Sequence, residues 1–323
     1  MDSPSWQVPK AGEVERVLIL ADGAKGVVAG CLPEIEAWLR ARVREVAVVD
    51  NVRALARTHR EEPTRALPLE NPDLVVVLGG DGTILSAVQA MCHSPRPMIG
   101  INFGRVGFLA PVEASEWKEG LDEVLTGRGR VEPRMRLEAR LRNRVTGEVH
   151  LVALNDLALT RGAVQGMVSV ALEVGGSWVT DYRADGLLIA TPSGSTAYSL
   201  AAGGPILAPS MNALIITPVC PHALSHRPLV LHPDSKIRLR VTRATGLVTL
   251  ANDGQVFHPL EEGDEVEIER HPEPFPLMRR PTTDPWQRLR DRLGWRGSYE
   301  PLNDLDAPEP LDEVLDEGRG DVL

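Results

Sequence analysis

The stretch LVVVLGGDGTIL, residues 74 to 85, decides how this chain is read. Leu74 to Leu78 form an apolar, β-branched run that fits a strand buried on both faces. The run empties into Gly-Gly-Asp-Gly-Thr, and an amphipathic helical pattern follows at once. Glycines at the carboxyl end of a parallel strand let backbone N–H groups approach a ligand closely. The start of the next helix adds positive partial charge, so the place suits a phosphate. Asp81 does not fit that picture alone, because a carboxylate about 4 Å from a phosphate charge is repelled by ~4 kcal/mol at an effective dielectric near 20. It needs a proton to take or a cation to hold. Phosphoryl transfer supplies both, which makes Asp81 a candidate general base or metal anchor. A tight turn in which Asp81 helps to cap a helix beginning near Thr83 explains the same five residues, so both readings stay open at this point.

The same alternation of short strands and helical stripes fills residues 14–127. RVLILAD, CLPEIEAWLRARV, VAVVD, DLVVVLG, TILSAVQAMC and PMIGINF follow one another, closed by the helical EASEWKEGLDEVLTG. This pattern predicts an α/β unit with a parallel, Rossmann-like sheet. Over 128–271 the period changes to two. In MRLEARLRN, Met135, Leu137, Ala139 and Leu141 alternate with Arg136, Glu138, Arg140 and Arg142, and a hairpin turn is expected at Thr146-Gly147. MVSVALEVGG, KIRLRVT, LVTLAND and DEVEIER repeat the pattern, so the second unit is expected to be a mainly antiparallel β-sandwich. Residues 272–300 are expected to return to the first unit as a helix. Asp284 is its N-cap, Pro285 lies in the first turn, Trp286, Leu289 and Leu293 share a stripe, and Gly294 is the stop. The acidic segment 301–323 lacks aromatic residues and is expected to be a disordered tail.

The formal charge of −10 over 323 residues argues against a nucleic-acid partner, which calls for a basic excess or stripe. No apolar run approaches the ~20 residues of a membrane span, and MDSPSWQVPK lacks the basic-then-apolar pattern of a signal peptide. A soluble cytoplasmic protein with no membrane partner is therefore expected. Cys31, Cys92 and Cys220 are odd in number and far apart, without metal-ligand spacing, and read as small apolar fillers. No metal ligands are assigned. The chain has no G-x-x-x-x-G-K-[ST], no G-x-G-x-x-G after its first strand and no G-x-S-x-G elbow.

A second constellation lies at TPSGSTAYSLAAGG, residues 191 to 204, where hydroxyls and glycines precede a short helical pattern ending at Gly203-Gly204-Pro205. Side-chain and backbone donors at a helix start suit an anion or a nucleoside, and a capped turn with a buried small-residue helix suits the same residues. Taken with GGDGT, INFGRVGFL, LNDLALTRG at 154 to 162, PHALSHRPLV and DGQ at 253 to 255, this segment closely resembles the NAD kinases over roughly Val14 to Gly297. GGDG alone is shared with lipid kinases and phosphofructokinases, whereas TPSGSTAY with GGPI is far more specific.

The resemblance implies ATP as donor, a divalent cation such as Mg²⁺, and phosphoryl transfer to the adenosine 2′-hydroxyl of NAD. By that likeness Asp81 activates the hydroxyl, and Gly79, Gly80 and Gly82 line the phosphate path. Asn155 and Asp156 match the pair that grips the adenosine ribose, with Asp156 standing where many relatives carry glutamate. Phe108 matches a residue against the adenine, while Ser193, Thr196 and Ala197 match residues at the adenine edge. Tyr198 is placed beside the diphosphate and ribose. Asp185 resembles the aspartate that reaches the nicotinamide end, often across a subunit boundary, which implies a homodimer or homotetramer. Arg183 resembles the basic residue of members that prefer oxidised NAD, and Ala201 replaces a serine found in many members. A lipid kinase of the diacylglycerol or sphingosine type and a non-catalytic NAD sensor are the rival readings. The lipid kinase would need a basic membrane-binding surface that the sequence does not suggest. His222 and His226 read as solvated or capping side chains, and Trp286 and Trp295 as packing residues. Asp253 fits an Asp-Gly hairpin turn, which the resemblance raises to a residue near the donor phosphates.

Overall fold

The computed structural model describes residues 9–61, 67–104, 107–143, 147–162 and 166–295. Segment 301–323, expected to be disordered, and Thr146 of the expected hairpin turn lie outside the described residues. The first part of the chain runs β1 (Arg16–Ala21), α1 (Gly26–Arg40), β2 (Glu45–Val49), α2 (Val52–Glu61), β3 (Leu74–Gly79), α3 (Asp81–Ala90), β4 (Met98–Asn102), β5 (Val112–Glu113) and α4 (Trp117–Leu125). Helix α2 and the two-residue β5 are the elements here that the apolar pattern did not suggest. Among the described side chains of α2 only Val52 and Ala56 are buried.

Strands β2, β1, β3 and β4 lie side by side and parallel, with Val17 opposite Leu74 and Leu78 opposite Ile101. Every residue of β3 is buried, because Leu74, Val76 and Leu78 enter one apolar cluster while Val75 and Val77 enter another on the opposite face. That two-sided burial explains the unbroken apolar run in the sequence. It also places the GGDG turn at the carboxyl edge of the sheet, where open α/β sheets bind ligands.

The remaining strands are β6 (Arg130–Arg134), β7 (Leu137–Asn143), β8 (Gly147–Ala153), β9 (Asp156–Arg161), β10 (Val168–Val174), β11 (Ser177–Ala184), β12 (Gly186–Ala190), β13 (Leu214–Val219), β14 (Leu229–Leu231), β15 (Ile237–Ala244), β16 (Val248–Asn252), β17 (Val256–Leu260), β18 (Glu265–Arg270) and β19 (Phe275–Arg279). Twelve of them form two six-stranded antiparallel sheets, ordered β11-β10-β15-β18-β7-β8 and β14-β13-β12-β9-β16-β17. Alternate residues of both sheets, among them Leu137, Leu141, Leu159, Ile189, Leu239 and Leu250, close one apolar core between them. The period-two pattern is the trace of this packing.

Two strands depart from the sequence reading. Arg130–Arg134, counted with the second unit, belongs to the first sheet, where β6 pairs antiparallel with β19 and β19 lies parallel to β4. The segment beyond residue 271 therefore returns as a strand before it returns as a helix. Pro133 and Pro276 stand opposite each other in this pair and interrupt the alternation by which a strand is recognised. Helix α5 (Tyr198–Ala201) is only four residues long, and α6 (Pro285–Leu293) has the expected ends. Asp284 Oδ1 accepts from the Trp286 N–H at 2.8 Å, and Gly294 sits at φ 67°. Trp286 and Trp295 do not pack as expected; they are 59% and 54% exposed. Helix α6 faces the body along half-buried Arg288 and buried Leu289, which leaves Trp286 on the flank.

Candidate active site

Asp81 opens α3 directly after the Gly79-Gly80 turn, half-exposed at the sheet edge. Its carboxylate is not idle. Oδ2 accepts from the Phe108 N–H at 2.9 Å and Oδ1 from the Leu109 N–H at 3.1 Å. The side chain thus moors the loop that carries Phe108, and each oxygen keeps a second lone pair for a further partner. The glycines around it serve different ends. A Cβ on Gly79 would lie 2.5 Å from the Thr83 Cβ, so packing within the chain explains that glycine. A Cβ on Gly82 would meet nothing within 4 Å, which leaves space over the helix N-terminus for a ligand. Gly107 is as tight, since a Cβ there would stand 2.6 Å from the Asp81 Cγ. Arg288 on α6 is near enough to feel the charges of Glu113, Asp81 and Glu132, while burial pulls its pKa down.

The Asp-Gly turn between β16 and β17 does more than close a hairpin. Asp253 adopts φ 50° and Gly254 φ 61°, and the Gln255 N–H returns to the Asn252 carbonyl at 3.0 Å. The Asp253 carboxylate is buried and accepts from four donors: the Leu154 N–H at 3.0 Å, the Asn155 N–H at 2.7 Å, the Asp156 N–H at 3.3 Å and Gln89 Nε2 at 3.0 Å. Gln255 adds a second tie, donating to the Gly82 carbonyl at 3.0 Å and accepting from Ser86 Oγ at 2.9 Å. One turn therefore locks helix α3, which begins at Asp81, to the backbone of the Asn155-Asp156 pair. Gln89, Gln255 and the weight of Asp253 were not legible as site features. Their partners lie 63 to 173 residues away, and a hairpin already accounts for Asp-Gly locally.

Beside this lock lies a cleft of about 780 Å³. Of the expected site residues, Asn155, Asp156, Asp185, Ala197 and Tyr198 line it within a single chain. Leu85 brings α3 to the cleft wall, and Asp81 stands one helical turn before it. Asn155 Oδ1 is buried and has no hydrogen-bond partner among the described residues, so it offers an acceptor to a hydroxyl. The Asp156 carboxyl is only 5% exposed, and burial, with the Asp253 charge behind it, pushes its pKa up to about 7. Burial also pushes Asp253 up, but all four of its neighbours donate to it, so the proton of this pair resides on Asp156. Asp185 is gripped by Arg161, with Nε–Oδ1 at 2.7 Å and Nη2–Oδ2 at 3.4 Å. The sequence reading passed over Arg161, 24 residues away on a neighbouring strand.

The raised pKa of Asp156 carries a signed prediction. The folded chain holds a proton that the unfolded chain, with an aspartate near 3.8, gives up. Its contribution to stability is therefore complete below about pH 4, falls as pH rises toward 7, and is flat above. At most roughly 4 kcal/mol is lost across this window, at ~1.4 kcal/mol per unit. Urea unfolding at pH 5 and pH 8 should show a smaller difference for Asp156→Asn than for the parent. An equal difference would place the proton elsewhere.

The hydroxyls of TPSGSTAYS are largely spent on the fold. Thr191 Oγ1 donates to the Leu154 carbonyl at 2.6 Å, Ser195 Oγ to the Pro192 carbonyl at 2.7 Å, and Ser199 Oγ pairs with Thr217 Oγ1 at 2.8 Å. Gly194 lies against the backbone of Asn155, so this turn and the acceptor pair are built together. Thr196 is half-buried, and Ser193 is buried and does not line the cleft. Arg183 is exposed on β11, outside the cleft lining. His226 packs on Tyr182 with ring centres 4.6 Å apart, and His222 is exposed. Cys92 is half-buried and its thiol is pushed up by burial, whereas Cys220, expected to be a filler, is exposed at φ 46°. Among the described residues no group of three His, Cys, Asp or Glu could hold a metal ion, and no helix is long and apolar enough to cross a membrane.

Comparison with known proteins agrees with this geometry. Residues 31–129 match the model of the ATP-NAD kinase N-terminal domain, and residues 154–280 that of the ATP-NAD kinase C-terminal domain. The NAD kinase of Acidobacterium capsulatum is 37% identical over 282 residues, covering 87% of this chain and 99% of the relative. That of Syntrophotalea carbinolica is 36% identical over 262 residues, covering 81% and 92%. Among solved structures, yeast NADH kinase complexed with NADH superposes with a TM-score of 0.76 at 30% identity, covering 90% of each chain. An Archaeoglobus fulgidus NAD kinase in complex with ATP gives 0.67 at 28% identity, covering 86% of this chain and 97% of the other. The parallel sheet ending in GGDG, the antiparallel sandwich and these relatives together make the chain a member of the NAD kinase family.

Proposed function

We propose that this chain transfers the terminal phosphoryl group of ATP to the adenosine 2′-hydroxyl of NAD, giving NADP and ADP. The observation that carries the reading is the cleft in which an unpartnered Asn155 oxygen and the Asp156 carboxyl are locked, through Asp253 and Gln255, to the helix that begins at Asp81. In this reading Asn155 and Asp156 hold the ribose hydroxyls. Phe108, Ser193, Thr196 and Ala197 contact the adenine, Tyr198 lies by the diphosphate, and Arg183 and Asp185 serve the nicotinamide side. The donor phosphates lie over Gly80 and Gly82, with Gly79 behind them. The 2′-oxygen attacks phosphorus, its proton passes to the Asp81 carboxylate, and the bond to the leaving diphosphate breaks.

A divalent cation, magnesium in this reading, would need only one or two carboxylates from the protein beside the donor, and Asp81 would be the residue to hold it. When bound it neutralises charge on the phosphates. Polyphosphate or another nucleotide is an alternative donor. The reading includes a cytoplasmic homodimer or homotetramer, supported by exposed Trp178 and Val179 on β11, an edge strand. It also keeps the two units at 14–127 and 128–271, except that β6 pairs within the first sheet.

Incubation of the purified protein with NAD and, separately, Mg-ATP or polyphosphate should yield NADP with at least one donor. No product with either would end the assignment. Tight NAD binding by calorimetry without product would turn the reading to a sensor.

A further inference from the structure

The chain passes from the first sheet to the sandwich between β6 and β7 and returns between β18 and β19. Both crossings meet at one side chain. Arg136, in the first, is fully buried, which a guanidinium tolerates only with partners around it. Its Nη1 donates to the Cys92 carbonyl at 2.7 Å, just beyond α3, and its Nε to the Glu273 carbonyl at 2.9 Å in the second crossing. Nη2 lies 3.2 Å from His271 Nδ1 and 3.6 Å from Glu273 Oε2. The His271 N–H returns to the Arg136 carbonyl at 2.9 Å, and the guanidinium stands 5.9 Å from the ring centre of Phe275, which opens β19. One arginine thus pins both crossings and the far end of the helix that begins at Asp81.

The pin depends on an uncharged ring. Arg136 Nη2 and the Glu273 N–H, 3.1 Å away, only donate, so Nδ1 of half-buried His271 is their acceptor and carries no proton. Burial and then Arg136 lower the pKa of this ring and His93 adds to them, while the Glu273 carbonyl and carboxylate oppose. A proton on Nδ1 would deprive both donors of their acceptor and set a second positive charge against the guanidinium.

We propose that Arg136 and His271 form a proton-sensitive pin between the two units: with Nδ1 bare it holds the sandwich to the first sheet, and with Nδ1 protonated the crossings and the far end of α3 loosen. The cleft is walled by Leu85 of α3 and by strands of the sandwich, so acid also weakens ligand binding there. That last step rests on the reading of the cleft as a dinucleotide site. A histidine whose pKa is lowered by folding contributes stability that is complete above its ordinary value of 6.5 and is lost as pH falls. Asp156 has the opposite sign, so the two responses separate.

The test compares the parent with His271→Asn, whose Oδ1 accepts in place of Nδ1 and takes no proton. Hydrogen exchange, corrected for intrinsic rates, should show the amides of His271 and Glu273 opening about 10-fold more in the parent at pH 5 than at pH 8, the size of one lost hydrogen bond, and under about 2-fold more in the variant. NAD calorimetry over the same range should show an acid weakening in the parent that the variant lacks, the Asp156 response being common to both. Arg136→Met should open the crossings at both pH values. If it does not yield folded protein, Arg136→Lys keeps the charge but loses the fork, and the same opening is expected. An acid response of equal size in His271→Asn, or exchange in the parent that does not change with pH, overturns the proposal. Loss of NADP formation with the exchange pattern intact would instead sink the assigned reaction alone.

Discussion

Asp81→Asn is expected to lower kcat for NADP formation by about 10²- to 10⁴-fold, the range of a lost general base, and to raise the KM for NAD as well. The second effect comes from the geometry. Both carboxylate oxygens accept backbone N–H groups, from Phe108 and Leu109. An amide retains one oxygen and turns its NH₂ toward the other N–H, so one donor loses its partner at a cost of about 1–3 kcal/mol. The loop carrying Phe108 then loosens, and with it the wall assigned to the adenine. Gly107→Ala should reproduce much of this with the carboxylate still present, because its Cβ would press on the Asp81 Cγ from 2.6 Å. Steady-state kinetics on both variants decide the matter. Full turnover in Asp81→Asn would remove that side chain from the mechanism, and a fall in kcat at unchanged KM would show that the loop holds without it.

Asp253→Ala should destabilise the fold by about 3–5 kcal/mol, because it strands four donors, three of them backbone N–H groups, in a buried place. Urea unfolding measures it directly. Asp253→Asn separates structure from charge. It keeps the volume but removes the negative charge that helps to raise the pKa of Asp156. The pH window over which Asp156 costs stability should therefore end at lower pH in this variant than in the parent. A loss below about 1 kcal/mol in Asp253→Ala, with NAD affinity kept, would show that the backbone of Leu154 to Asp156 holds its shape without this carboxylate.

The features legible in the sequence are those written in adjacent residues. β3, the GGDG turn and α3 follow from an apolar run, glycines and a helical stripe. The sandwich follows from alternation in segments such as 137–143 and 237–244. Asp284 and Gly294 mark the ends of α6 by their own chemistry. What was hidden depends on partners far along the chain. β6 and β19 carry prolines and pair only with each other and with β4, so no local period announces them. The Arg161–Asp185 and Arg134–Ser193 contacts join strands and turns that only the topology brings together. Asp253 already had a sufficient local explanation, which concealed its four buried bonds. The hydroxyls of 191–199 looked equivalent in sequence and are divided by the fold: those of Thr191, Ser195, Thr196 and Ser199 are spent inside it, that of Ser193 accepts from Arg134, and Tyr198 is exposed.

The place of β19 between β4 and β6 bears on how the protein is made. While a ribosome is still translating the sandwich, the nascent first sheet ends at β4 with only the two-residue β5 beside it, and β6 waits without its partner until residues 275–279 leave the exit tunnel. Completion of the first sheet is thereby tied to synthesis of almost the whole described chain. A product truncated ahead of Phe275 would carry the GGDG turn on a sheet with an unpaired, aggregation-prone margin.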